Sequence, residues 1–228
     1  MKRVTKTVTI IISLVLLLIA VMITAAFIRQ AMIDQKINDD IGAFLTDAAY
    51  QKPVAVQGID VIKQKISCGY AVLEMFGKWC GTDITENILF NEYKEVVTST
   101  GEAFCKEMNR QFPAYQTAMY KNRTNSELLR MIYGSLQNGV PVPFEFSAVY
   151  DDGNEKVWTL HYAIVTEMDV PHNKVVVANP YGYIETYTID DFLKATRYES
   201  FKNMPFYFKL AFAFGIFEKN TVFIAETV

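Results

Sequence analysis

With 228 residues, 51% of them hydrophobic, the chain is long enough to bury the core of one domain and to carry an appendage besides. Its formal charge of −3 is spread without a basic stripe, which excludes nucleic acid as a partner because nothing gathers to neutralise phosphates.

The appendage comes first. Lys2, Arg3 and Lys6 precede an uncharged run, Thr7 to Ile28, whose length suits a helix crossing a bilayer. A secretory signal peptide is the alternative. Its apolar stretch is shorter, roughly 7 to 15 residues, and Ala25 and Ala26 fall inside the run here, which favours an uncleaved anchor. Basic residues are denser before the run than after it, where Arg29 and Lys36 are diluted by Asp34, Asp39 and Asp40. The positive-inside rule then puts the amino terminus in the cytoplasm and residues 29–228 outside the cell membrane. There a disulfide persists, and three cysteines leave one thiol unpaired.

Residues 29–59 read as a juxtamembrane stalk, helical over Ala31–Ala48 and then extended through "YQKPVAVQG", where Pro53 disfavours helix. Residues 60–228 read as one domain. Ala71, Val72, Met75, Phe76 and Trp79 recur at helical spacing, with Ser67 as cap and Gly81 just past the end, so Cys68 lies in a helix's first turn. Ile84 to Arg110 gives one or two helices broken near Thr98–Gly101. "NSELLRMIYGSLQNG" is a further helix, capped by Asn125 or Ser126, apolar at Leu128, Leu129, Ile132 and Leu136, and ended by Gly139.

After Pro141 the pattern changes to short β-branched and aromatic runs: "VPFEFSAVY", "VWTLHYAIVTEM", "NKVVVANP", "YIETYTI", "FAFGIF" and "NTVFIAE". Turn clusters at Asp151–Asn154 and Asp169–Asn173 separate them, and "TIDDFLKA" adds a short helix capped by Asp190 or Thr188. Helices first and an antiparallel sheet second predicts an α+β fold, a helical layer on a sheet. No internal repeat interrupts the order.

A hairpin centred near Val170 pairs residues whose numbers sum to about 340, so Val165 faces Val175, Ala163 faces Val177 and His161 faces Asn179. An Asn side-chain oxygen at that range orients an imidazole. A helix N-terminus stabilises a thiolate through its free N–H groups and macrodipole, and Cys68 is placed for it. Cys68 as nucleophile, His161 as base and Asn179 as orienter make the logic of acyl transfer, and Gln64 adds an N–H₂ donor for the oxyanion beside the Cys68 backbone N–H. His172 sits in a turn and reads as solvated; Met75, Phe76 and Trp79 read as core.

"CGYAVLEM", "GVPVPFEF", "HYAIVTEM" and "VVVANPYGYIETYTIDDFLKA" resemble the papain-like double-glycine cysteine peptidases, cysteine peptidase family thirty-nine, over about Val61 to Ala195. The resemblance implies a papain-type fold, attack of Cys68 on a peptide carbonyl of a peptide or protein substrate, and no metal or organic cofactor. Tyr70 stands where the family has a small residue or proline, and Asn179 where it more often has Asp. Leader-peptide cleavage is not carried over, because one span and no transporter accompany the domain. A membrane-tethered peptide-binding module on the same fold and a cysteine transamidase are the alternatives. Oligomeric state is not legible.

Cys80 ends the helix that Cys68 opens, roughly 18 Å away at about 1.5 Å per residue, so those two do not bridge. A Cys80–Cys105 disulfide leaving Cys68 free is the expectation.

Overall fold

The computed structural model describes residues 2–151 and 156–228. Helix α1, Lys2–Ile37, is one uninterrupted rod of about 54 Å that continues past the end of the apolar run. Among the described residues it is the one helix long and apolar enough to cross a membrane.

The expected stalk, residues 29–59, is packed on the domain instead. Ile37 and Phe44 are fully buried, Phe44 on α2 (Gly42–Thr46), and the short strand β1 (Val54–Ala55) pairs with Met168 and Glu167. A separate helix over Ala31–Ala48 does not form. Asp39 and Asp40 turn the chain there: the Asp39 carboxylate accepts Ser126 N–H at 3.1 Å, and the Asp40 carbonyl accepts the Ser126 hydroxyl at 3.2 Å.

Five helices follow as local chemistry dictates. Helix α3 (Cys68–Cys80) starts on Ser67 and stops at Gly81, whose φ of 83° is left-handed. The Ile84–Arg110 segment splits into α4 (Glu86–Tyr93) and α5 (Gly101–Gln111), capped by Thr85 and Thr100. Helix α6 (Asn125–Gln137) is capped by Thr124 in a capping box with Glu127, not by Asn125 or Ser126, whose side chains hold the 38–40 segment. Helix α7 (Ile189–Thr196) starts on Thr188.

The sheet contains β2 (Tyr115–Tyr120), β3 (Val142–Asp151), β4 (Lys156–Asp169), β5 (Lys174–Asn179), β6 (Tyr183–Tyr187) and β7 (Thr221–Thr227), in the order β2-β7-β3-β4-β5-β6 and antiparallel throughout. Strand β2 has no counterpart in the sequence reading; it lies among helices and pairs with the carboxyl-terminal strand. Residues 152–154 of the expected Asp151–Asn154 turn lie outside the described residues.

Helices cover both faces of the sheet, where one helical layer was expected. Alternation along β4 sends Ala163 and Val165 into a core with α6 and α7, and Tyr162 and Ile164 into a core with α3 and α5. The "FAFGIF" segment is no strand: Phe206–Ala213 forms helix α8 and Phe214–Phe217 turns away from it. A continuous apolar run carries no period of its own, and Leu210, Ala211 and Ala213 suit a helix.

Candidate functional site

The site is assembled where β5 leaves β4. Their last paired residues are Ile164 and Ala178. Asp169 pairs with Lys174 across a four-residue turn, and a bulge at Thr166 then brings Val165 opposite Val177. The register expected from a turn centre at Val170 is therefore displaced by two residues. His161 and Asn179 are diagonal neighbours on one face, not direct opposites, and the two long side chains still meet.

Asn179 Oδ1 lies 2.9 Å from His161 Nε2 and also accepts the Tyr181 N–H at 2.9 Å. Asn179 Nδ2 donates to Glu185 Oε2 at 2.8 Å, and Tyr187 donates its hydroxyl to that same oxygen at 2.8 Å. The carboxylate thus fixes which end of the amide faces the histidine. An amide oxygen only accepts, so His161 carries its proton on Nε2, and Nδ1 is left as the acceptor. The imidazole is 2% exposed, stacked on Tyr181 at 4.1 Å between ring centres, with Phe146 at 5.5 Å.

Cys68 is the first residue of α3. Ser67 caps the helix, its Oγ accepting the Tyr70 N–H at 3.1 Å. The preceding loop is held three ways: Lys63 bridges to Tyr181, Gln64 N–H donates to Pro180 O at 2.7 Å, and the buried Glu86 carboxylate accepts Lys65, Ile66 and Ser67 N–H at 2.9, 2.8 and 3.0 Å. One carboxylate thereby orders the turn leading into Cys68. Gln64 accordingly sits beside the Asn179–Pro180 turn, with its Oε1 buried and unpartnered.

The backbone N–H groups of Tyr162, the residue after His161, and of Gly69 and Cys68 itself lie close enough to the thiol to favour its ionised form. The thiol therefore lies close to the Tyr162 peptide on β4 and packs in the core with α3 and α5, whereas the His161 ring lies against Phe146 and Tyr181. Burial pushes the thiol's pKa up, the three N–H groups pull it down, and the Glu145 carboxylate raises it further. Burial likewise holds His161 down at about 4, against the Asn179 bond that favours the charged ring. Desolvation outweighs the helix terminus here, and the resting pair is neutral thiol and neutral imidazole.

Gly69 has a packing reason of its own. A Cβ there would lie 2.2 Å from Thr98 Oγ1 and 2.7 Å from Thr98 Cβ. Gly69→Ala is expected to destabilise the fold by about 1–3 kcal/mol, seen as a lower melting temperature, and Thr98→Gly in the same chain is expected to return part of the loss. An unchanged melting temperature in the single variant would refute the contact.

Two grooves adjoin the site. One, of about 410 Å³, is lined by Asn179, Tyr181, Glu185 and Trp158; the other, of about 560 Å³, by Lys63, Gln64 and Ile66. Val149, Tyr181 and Tyr183 line both. Neither lining includes Cys68 or His161. His172 is exposed in its turn, with Nδ1 2.9 Å from the Asp169 carboxylate. Among the described residues no three His, Cys, Asp or Glu side chains gather to hold a metal ion.

Cys80 and Cys105 are free thiols, against the expected bridge. Cys80 Sγ faces Gly77 O at 3.4 Å on its own helix, whereas Cys105 Sγ faces Thr117 O at 3.5 Å on β2. Adjacent helices do not suffice when the two thiols point to different elements.

Glu86, Tyr181 and Glu185 are missing from the sequence-based site. Glu86 carries a weak signal, an acid at the first position of a Thr-capped helix; that its carboxylate reaches back some twenty residues is a tertiary fact.

No protein-family model and no curated protein matches the chain. Among solved structures it is similar to a double glycine motif protease from an AMS/PCAT transporter, crystallised in complex with the leader peptide. Sequence identity is 11%, coverage is 78% of this chain and 100% of that chain, and the TM-score is 0.46.

Proposed function

We propose that the chain is a membrane-anchored cysteine peptidase of papain-like fold. Residues 7–28 span the membrane, the amino terminus is cytoplasmic, and the domain cleaves peptide bonds outside. Cys68 is the nucleophile, His161 its base and Asn179 the orienter. The observation that carries this reading is the 2.9 Å contact of His161 Nε2 with Asn179 Oδ1, which calls for the proton on Nε2 and leaves Nδ1 as a proton acceptor.

In the first step Cys68 Sγ bonds to the substrate carbonyl carbon while its proton passes to His161 Nδ1, and the carbonyl π electrons move onto oxygen. The N–H groups at the start of α3 and the Gln64 amide are the donors for that oxyanion. Collapse re-forms the carbonyl and breaks the C–N bond, and His161 returns the proton to the leaving amine. Water, deprotonated by the same nitrogen, then cleaves the thioester. Because thiol and imidazole are both neutral at rest, the proton moves during attack and not beforehand.

A non-catalytic peptide-binding module on the same fold is the second reading, favoured by the absence of Cys68 and His161 from the groove linings. A peptide vinyl sulfone applied to the full chain in detergent separates the two. The peptidase reading expects a covalent adduct on Cys68 ahead of Cys80 and Cys105, slowed in His161→Ala. No adduct on Cys68, or an equal rate without the imidazole, leaves the binding module.

A further inference from the structure

We propose that α8 and the turn after it, residues 206–217, form an interfacial membrane element that lies in the outer layer of the bilayer that α1 spans. The proposal rests on the reading of α1 as a span.

The depth at which the domain first touches α1 carries the argument. From Ile10 to Met22 every side chain of α1 is exposed, whichever way it points. From Ile23 onward one stripe is covered: Ile23, Ala26, Phe27, Gln30, Ile33, Asp34 and Ile37 recur at intervals of three and four. The uncharged run, however, ends only at Ile28. The covering element therefore overlaps the last six residues of the apolar run, about 9 Å of helix axis. That element is α8, which packs on α1. Two ion pairs fix it at the exit: Arg29 to Glu218 at 2.7 Å and Asp34 to Lys219 at 2.6 Å. Gly215 approaches so closely that a Cβ there would lie 3.0 Å from Arg29 Nη2.

The chemistry of the element suits that depth. In "FYFKLAFAFGIF" Lys209 is the single charge. Phe212, Phe208 and Phe217 pack inward on Tyr198, Met204 and Leu160. Phe206 (65%), Tyr207 (64%), Phe214 (52%) and Ile216 (54%) face outward. Four exposed large apolar side chains on one twelve-residue element are more than an aqueous surface ordinarily leaves open, and aromatic rings are at home in the headgroup region. Lipid is the occupant committed to because α1 already sets this patch at membrane depth. Leu160 joins the cluster and precedes His161 on β4, so seating α8 in lipid also fixes the height of the candidate site above the membrane.

The test uses the unmodified full chain in phosphatidylcholine vesicles doped with a phospholipid bearing a diazirine on its acyl chain. Photolysis, digestion and mass spectrometry map the adducts. The expected result is labelling of residues 10–22 together with residues 206–217, and loss of both when the vesicles are replaced by diazirine-free lipid. Labelling confined to residues 10–22 overturns the interfacial element and leaves the span intact. No labelling of residues 10–22 overturns the span and the proposal with it. Equal labelling of Ile88 and Phe90, exposed apolar residues of α4, shows non-specific capture and likewise overturns it.

Discussion

Cys68→Ala is expected to abolish peptide hydrolysis, a loss on the order of 10⁴-fold or more, because on the proposed mechanism no other group forms the thioester. The fold is expected to survive, since one sulfur atom is removed from the first turn of a helix whose cap and loop anchors remain. His161→Ala is expected to lose a similar factor. Asn179→Ala is expected to lose less, about 10²-fold, because the base persists and only its tautomer and orientation are released. The informative change is Asn179→Asp. An Asp is common at this position in the double-glycine peptidases that the sequence resembles, yet here the Asn amide donates to Glu185 at 2.8 Å. An Asp would set two carboxylates at that separation, and one must take up a proton or turn away from His161. Asn179→Asp is therefore expected to lose activity, and Asn179→Asp with Glu185→Gln to regain much of it, as a donor is restored opposite the new carboxylate. Peptide hydrolysis by the four variants, normalised to folded protein, reads this out. Full activity in the single Asn179→Asp variant would remove Glu185 from the orienting chain.

The parts of the site that the sequence exposes are those governed by local rules. Cys68 at a capped helix start follows from Ser67 and Gly81, and His161 meeting Asn179 follows from two strands joined by a short turn. The predicted register was off because it ignored the Thr166 bulge and the four-residue turn; the contact formed because side chains of that length span a diagonal as well as a direct pair. Long-range choices were hidden. The binding of the 63–67 loop by Glu86, the pairing of β2 with β7 and the packing of residues 29–59 on the domain all join segments far apart in the chain. Local propensity for the apolar "FAFGIF" was ambiguous, and its neighbours in space, α1 above all, decided for helix. The expected thiolate failed for a related reason: burial is set by the whole fold, whereas the helix terminus is visible in a few residues.

Replacing Glu145 is expected to turn a flat dependence of stability on pH into a steep one. Glu145 and His161 are both buried, on β3 and β4, and burial moves their pKa values in opposite directions. His161 falls from 6.5 to about 4. Between those values the unfolded chain holds a proton that the native state lacks, so this group's contribution is lost as pH falls from 6.5 towards 4. Glu145 rises from 4.5 to about 7, with the Tyr162 hydroxyl bond pulling the other way. There the native state holds the extra proton, and stability is lost as pH rises from 4.5 towards 7. Each difference of about 2.5 is worth roughly 3 kcal/mol. The two windows overlap between 4.5 and 6.5, where equal and opposite slopes cancel. Glu145→Gln keeps a side chain able to hydrogen-bond Tyr162 and removes one slope. The variant's melting temperature, relative to wild type, is then expected to climb by roughly 6–12 °C between pH 4.5 and 7, at about 2–4 °C per kcal/mol for a chain of this size. His161→Gln removes the other slope, so its melting temperature relative to wild type falls as pH rises from 4 to 6.5. Melting curves of the full chain in detergent across this range check both. Parallel profiles for wild type and Glu145→Gln would show that the Glu145 carboxyl is ionised inside the fold at neutral pH and that its charge, not a proton, faces Tyr162 and the thiol of Cys68.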